Sequence, residues 1–408
     1  MDRTRIVRLL VVPALLASIV SAPVGLATSA QDASPVATIE GSPVVSAMPP
    51  VPAGAEVVAS GLDNPRHLVF GPDGALYIAE AGAAGDGPCV EGPEGDRECY
   101  GETSAITRVD VASGTQERIV EGVRSRAVEG TGENATGIHD LAFVDGTLYA
   151  DVGLAADPAV RADVETDGLA QLDRLFTVDL ETGELTEVAD IGGYEASANP
   201  DGGIVDSNPF GLEAMPDGGV AVADAGANAL LAVTPDGEIS TLAVFPDTMQ
   251  EAPDGSEVPM QAVPNAVAVG PDGAFYVGQL TGFPFPPGGA KVFRVPAEGG
   301  EPEPFAESFT NIIDVAFGAD GSLYVLEFNK GGLLGIDPTD PTTLEGRLVR
   351  ISPNGTQTDV GGPGLIAPTG LAVGPDGGIY VAYLGVAPGA GTVARFDAPA
   401  AAMATPQA

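Results

Sequence analysis

Basic residues are scarce in this 408-residue chain. Only 17 Lys and Arg stand against 57 Asp and Glu, a formal net charge of −40. A surface of that sign repels phosphate backbones, which excludes nucleic acid as a partner. The same field disfavours anionic membrane surfaces and favours cations, solubility and a monomeric state. Long apolar runs are missing as well. The stretch from Leu9 to Val20 is broken by Pro13 and Ser18 and is too short to span a membrane, so no insertion is expected once the leader is removed. The chain has two cysteines and two histidines, and it shows no GxSxG, HExxH or EF-hand loop, the short motifs that would name a chemistry directly.

What the chain does have is 56 Gly and 36 Pro within a composition that is 44% hydrophobic. That mixture supports a packed core and argues against a helix-dominated fold. At the N-terminus, Arg3, Arg5 and Arg8 precede the apolar stretch, and Thr28-Ser29-Ala30 offers small residues for cleavage. This layout predicts a signal peptide over 1–30 and a secreted or periplasmic, extracytoplasmic protein. Residues 31–55 are rich in Pro, Ala and Ser and read as a spacer, 56–399 as the folded unit, and 400–408 as a disordered tail. Cys89 and Cys99 lie in a Gly-, Pro- and acid-rich segment. A structural disulfide suits an exported chain and would add roughly 2–3 kcal/mol, with free thiols or a metal pair as rival readings.

Six segments repeat one pattern: a short apolar run, a turn ending in Asp-Gly, then an apolar strand. They run from Asn64, Gly137, Asn208, Pro264, Asn311 and Pro368, and Tyr77, Tyr149, Tyr276, Tyr324 and Tyr380 recur at one strand position in five of them. Asp-Gly between two β-patterned runs is a hairpin signal. A second pair of strand-like runs follows each hairpin, as in 106–121 and 175–190. The turn residues Asp73, Asp145, Asp217, Asp272, Asp320 and Asp376 fall 72, 72, 55, 48 and 56 residues apart. Repeats of four short strands at this period predict an all-β, six-bladed β-propeller with four-stranded blades. A strand-like run at Val57–Leu62 precedes the first hairpin and only Thr392–Asp397 follows the last, so the N-terminal strand is expected to close the last blade. Blades one and two are long, with the extra residues at 81–104 and 152–173 on the face that carries the second-to-third strand loops.

Alignment of the repeats places the chemistry-bearing residues at the tunnel mouth of that face. Asn64 and Asn208 stand at strand entrances. Arg66, His139, Phe210 and Asn265 follow two positions on, and His67, Asp140 and Asp314 one further. Glu80, Asp224 and Glu327 end second strands. Hard oxygen ligands from several blades would suit Ca²⁺, and Glu80, Asp224, Asn265 and Glu327 are the candidate set. Structural capping by the same residues is the competing reading. His139 and Arg66 are candidate catalytic groups, an imidazole titrating near neutrality. Asp140 cannot simply orient His139, because neighbouring strand residues point to opposite faces. The segment Thr281–Pro287 carries Phe283 and Phe285 and reads as an exposed loop that either contacts a ligand or packs on a neighbouring blade.

The run Ala59–Gly82, the Cys89–Gly101 insertion, Ile106–Asp110 and His139–Phe143 with its long following insertion resemble the ScyD/ScyE family. That resemblance covers nearly the whole mature chain and implies an exported six-bladed propeller whose molecular activity is not established. A more distant similarity is to NHL-type and gluconolactonase-type propellers. The lactonases hold a divalent cation in the tunnel through Glu, Asn and Asp at blade entrances. Asn265 occupies a comparable position here, but Phe210 stands where another amide would be wanted. Two functions follow as expectations: a propeller that binds a small molecule or an extracytoplasmic protein on its loop-rich face, or a metal-dependent lactonase- or esterase-like hydrolase at the tunnel mouth.

Overall fold

The computed structural model describes residues 51–398 except 93, 94, 166–169, 217 and 338. The expected signal peptide, the first twenty residues of the spacer, the tail and the Asp217 turn lie outside the described residues. Six antiparallel sheets follow one another along the chain. Their inner strands are Pro65–Phe70, Ile138–Val144, Pro209–Ala214, Pro264–Val269, Ile312–Phe317 and Gly370–Val373. Each inner strand packs against those of the blades before and after it, and the last packs against the first, closing the ring. The chain is therefore a six-bladed β-propeller of four-stranded antiparallel blades.

The sixth blade is completed from the other end of the chain. Ala55–Leu62 pairs antiparallel with Gly391–Phe396 as the outer strand, so the ring is clasped by joining the two ends of the propeller. Blade one is larger than the pattern implied. Its outer strands, Arg97–Asp110 and Thr115–Val128, form a hairpin with arms of 14 residues each, and the short strand Cys89–Glu91 adds to it. Part of the segment read as loop thus continues the third strand outward. The Cys89–Cys99 disulfide links two residues directly opposite in this pairing.

The Asp-Gly-Tyr pattern has a common physical cause in four blades. In blade one, Gly74 takes φ +76° and its N–H donates to Gly71, while the Asp73 carboxylate accepts from Ala75 N–H. Tyr77 sits opposite Arg108 on the third strand, and its hydroxyl and the Arg108 guanidinium both donate to Asp73. Arg294, Arg350 and Arg395 hold Asp272, Asp320 and Asp376 in the same way. The tyrosine ring also packs edge-on against a phenylalanine of the next blade, as in Tyr77–Phe143, Tyr276–Phe317 and Tyr380–Phe70. One residue therefore ties its own turn and the neighbouring blade. In blade two the turn is tighter, with Asp145 and Gly146 both at positive φ, as a two-residue type I′ hairpin requires.

Beside the short 3₁₀ and helical turns at 158–164 in blade two, three further elements lie outside the repeat units among the described residues. Helix α1 (Ile191–Ala198) joins blades two and three, the hairpin Thr248–Glu251 with Glu257–Met260 joins blades three and four, and residues 328–346 form a loop in blade five with two 3₁₀ turns. The helix carries two glycines and no clear apolar stripe, so periodicity could not announce it; it is started by Asp190, whose carboxylate accepts from Gly193 N–H.

In blades one, four and six the glycine before Pro-Asp-Gly is required by the tyrosine, whose ring lies where a Cβ on Gly71, Gly270 or Gly374 would stand. A Cβ on Gly270 would stand 2.3 Å from Tyr276 Cε2, whereas one on Gly335 would meet nothing within 4 Å. Gly270→Ala is expected to lower stability by about 1–3 kcal/mol and Gly335→Ala to leave it nearly unchanged, as read from urea denaturation midpoints.

Candidate functional site

The inner strands alone line the axis, and their pleat sorts the polar residues along it. Arg66, Phe210, Asn265, Ile313 and Thr369 belong to one level, where together with Asn208 at its strand entrance they line a chamber of about 100 Å³ on the loop-rich face. Asn134, Leu280, Thr281, Phe285 and Phe328 reach it from the loops. One residue further along, His67, Asp140 and Asp314 line a second cavity of about 380 Å³ towards the opposite face, together with Glu213. The residues expected to share one mouth are thus divided between two chambers.

In the upper chamber Arg66 is a buried cation. Its guanidinium donates to the carbonyls of Gly385 and Ala135, 2.5 Å away in each case, so one side chain of blade one holds loops on both flanks. Burial lowers its pKa to about 10, and it remains charged at neutral pH. His139 packs on Phe210 with ring centroids 4.5 Å apart. Its Nδ1 lies 2.9 Å from the Pro209 carbonyl, which can only accept, so Nδ1 carries the proton and the neutral ring leaves Nε2 as an acceptor. Burial first, and then the charge of Arg66, press its pKa down to about 3. A neutral imidazole is the state present at any ordinary pH. Asn265 Oδ1 and Thr281 Oγ1 are buried and meet no partner among the described residues.

The lower chamber is built on ion pairing between blades. His67 Nδ1 lies 2.7 Å from Asp140 Oδ2, and Nε2 lies 3.9 Å from Asp314. Burial alone would depress the imidazole, but the two carboxylates outweigh it and raise the pKa to about 10. Asp140 therefore partners His67 of blade one and not the adjacent His139. Burial lifts Asp314 to about 7, and burial with the Asp140 charge lifts Asp151 and Glu213 to about 8. Glu213 escaped the sequence reading, although a signal was there. The equivalent positions in the other repeats are Val69, Ala142, Ala268, Ala316 and Ala372, which makes it the one charged residue in its column.

The strand-end acids do not reach either chamber. Glu80, on the second strand, accepts from Asp63 N–H and Thr107 and pairs with Arg118 at 2.6 Å. Asp224 accepts from Ser207 and from the N–H groups of Asn208, Gly226 and Ala227. Glu327 accepts from Thr310 N–H and pairs with Arg347. Each closes the loop at its own blade entrance, so only Asn265 of the expected metal set faces the upper chamber. Asn64 is likewise engaged. It takes φ +48° at its strand entrance and its amide donates to Gly82 and Gly132, a conformation asparagine tolerates better than most residues. Phe283 and Phe285 are not on an exposed loop: Phe285 is buried against the chamber and Phe283 is half-buried beside it.

Residues 169–404 match the SMP-30/Gluconolactonase/LRE-like region family. The chain belongs to that family, as a gluconolactonase-type β-propeller. Among solved structures it is similar to a putative gluconolactonase (14% identity over 85% of this chain and 93% of that one, TM-score 0.47). It is also similar to a calcium-binding protein, regucalcin, from Agrobacterium tumefaciens (17%, 86% and 94%, 0.45). A third similar structure is the PQQ-bound aldose sugar dehydrogenase from Streptomyces coelicolor (15%, 85% and 98%, 0.49). Among curated proteins none matches.

A divalent cation of the kind held in lactonase tunnels fits the upper chamber poorly. Among the described residues its lining offers amide and hydroxyl oxygens but no carboxylate, and it contains the Arg66 guanidinium. Hard cations are held by anionic oxygens, and a fixed positive charge in the same small space opposes them.

Two outcomes test this account of the charges. Glu80→Gln should cost about 1–2 kcal/mol by weakening charge-assisted hydrogen bonds to the partly exposed Arg118, with equal loss in urea titrations with and without chelator. Stability should also fall as pH rises from 6.5 to about 9. Native His67 keeps its proton across that window, and Asp314, Glu213 and Asp151 release theirs only around pH 7 to 8, whereas the unfolded chain has already lost its carboxyl protons and loses the imidazole proton near 6.5, so the native state is increasingly penalised. His139 works the other way only below pH 6.5, where the unfolded imidazole takes up a proton and the native one does not. Melting temperatures at pH 6.5 and 9 check the sign; a flat or rising curve would contradict the assignment.

Proposed function

We propose that this gluconolactonase-type propeller is a binding protein whose upper chamber takes a compact, neutral, hydroxyl-bearing molecule such as a small polyol or sugar lactone. The observation that carries the reading is the pair of buried acceptors, Asn265 Oδ1 and Thr281 Oγ1, that line the chamber without a partner among the described residues. A buried acceptor left unpaired is costly, and a ligand hydroxyl supplies the missing donor. Phe210, Phe285, Phe328 and Ile313 give the apolar walls that a ring face would cover. Asn208 already holds the Leu154 N–H, Arg66 adds a fixed positive charge to the lining, and His139 backs the Phe210 wall.

The finer assignment to ScyD/ScyE-type exported propellers, acting alone as a monomer outside the cytoplasm, is supported by the Cys89–Cys99 loop, the basic-then-apolar N-terminal stretch and the acidic composition. Metal-dependent lactone hydrolysis is the second reading, favoured by the family itself. No step through a metal follows from the donor set of the chamber.

Titration calorimetry with a panel of sugar lactones and polyols separates the two. The expected result is saturable binding that chelator leaves unchanged and that Asn265→Ala or Phe210→Ala weakens at least tenfold, with no turnover. Absence of binding across the panel would sink the binding reading, and calcium-dependent turnover lost in Asn265→Ala would replace it with the hydrolase.

A further inference from the structure

The junction between blades two and three concentrates acceptor oxygens that none of the described residues satisfies. Helix α1 presents Ile191, Gly192 and Glu195 as its buried face. Gly192 and Glu195 are three residues apart and lie on the same side of the helix. That side meets Asp173: a Cβ on Gly192 would fall 1.8 Å from Asp173 Oδ2. Asp173 in turn shares the Ser207 hydroxyl with Asp224, at 2.6 and 2.7 Å. Glu195 is therefore carried into a space already bounded by acids.

Glu195 is 1% exposed, and neither of its carboxylate oxygens has a hydrogen-bond partner among the described residues. Asp206 Oδ1, Asp173 Oδ2 and Asn199 Oδ1 are buried and unpartnered at the same junction. The groups acting on Glu195 are the carboxylates of Asp224, Asp201 and Asp206, all negative, and the Asp206 backbone N–H, which does not close a hydrogen bond to either oxygen. Nearby arginines are engaged elsewhere: Arg161 pairs with Asp190, and Arg126 with Glu98. Glu195 also stands in the last turn of its helix, where the backbone carbonyls add partial negative charge. A buried carboxylate with no counter-ion and no closed hydrogen bond is costly to hold. The oxygens left unpartnered on Glu195, Asp206, Asp173 and Asn199 have the chemistry of a hard-cation site.

We propose that this junction binds one divalent cation of the calcium class, held by the side chains of Glu195, Asp206 and Asn199 and by oxygen ligands from the 199–206 loop. The site is separate from the tunnel chambers and independent of the ligand proposed above. Among the described residues no three of these carboxylates already stand within 4.8 Å of one another, so binding draws Asp206 and Glu195 together. Calcium accepts six to eight oxygens in irregular geometry, whereas magnesium demands a near-ideal octahedron that this open arrangement does not offer.

Calcium titration of the full chain after chelator treatment, followed by calorimetry and thermal melting, decides it. The expected result is one bound Ca²⁺ per chain, a rise in melting temperature on adding calcium, and at least tenfold weaker response to Mg²⁺. Glu195→Gln and Asp206→Asn should each weaken calcium binding at least tenfold while melting no lower than the calcium-free parent, since each removes an unpaired buried charge. Asn265→Ala, in the upper chamber, should leave calcium binding intact. No binding by the parent, or binding that survives Glu195→Gln, overturns the proposal. Should that variant fail to fold, Asp206→Asn puts the proposal to the same test, and calcium binding that survives it overturns the proposal equally.

Discussion

The blades are held around the axis by polar side chains that reach from one inner strand to another. Asp140 accepts from Leu141 N–H of its own strand and from Leu212 N–H of blade three, and Asp314 repeats this with Val315 and Leu371. His67 lies between the two aspartates, and Thr369 donates to the Pro65 carbonyl across the closing seam. Inner strands expose backbone groups along the tunnel that no further strand can pair, and a buried unpaired amide is costly. Carboxylates in the third position of two opposite blades resolve that problem, and a cation between them balances their charge. The tunnel is consequently filled by a network that ties blades one, two, three, five and six.

Placing the network at mid-tunnel divides the axis into two environments of opposite character. The upper chamber is apolar, with one fixed guanidinium and orphaned neutral acceptors; the lower one is acidic and holds protons at neutral pH. In a chain with so large an excess of acid, the two buried cations on the axis, Arg66 and His67, are adjacent in sequence and serve these two levels separately. The pleat separates them: Arg66 turns to the loops on either flank and His67 to the aspartates. Function at the upper chamber thus inherits a positive, carboxylate-free lining in a family known by its lactonase name.

Much of the architecture was legible because its cause is local. The Asp-Gly turn and the tyrosine shortly beyond it need only their own hairpin and the arginine opposite. Repetition of that unit gave the blade count, and the unpaired run at Val57–Leu62 gave the clasp. The tunnel-lining set at Arg66, Phe210, Asn265 and Thr369 also followed from alignment, since inner strands of a propeller must face the axis. The acids at 80, 224 and 327 were harder. Whether a strand-end carboxylate looks towards the tunnel or back into its blade depends on an arginine one or two strands away or on loop amides, none of which has a fixed offset in the sequence.

By itself, then, the order of residues determined a six-bladed, end-clasped ring and the identity of most side chains nearest the axis, because each rests on short-range periodicity or on a count of strands. The tertiary structure alone decided the division of the tunnel into two chambers, the pairing of His67 with Asp140, the burial of Phe285 and the gathering of Glu195 with Asp173, Asp206 and Asp224. These arise where segments tens to hundreds of residues apart meet. The charge, burial and missing donors that matter there are properties of the meeting, and no single segment carries them.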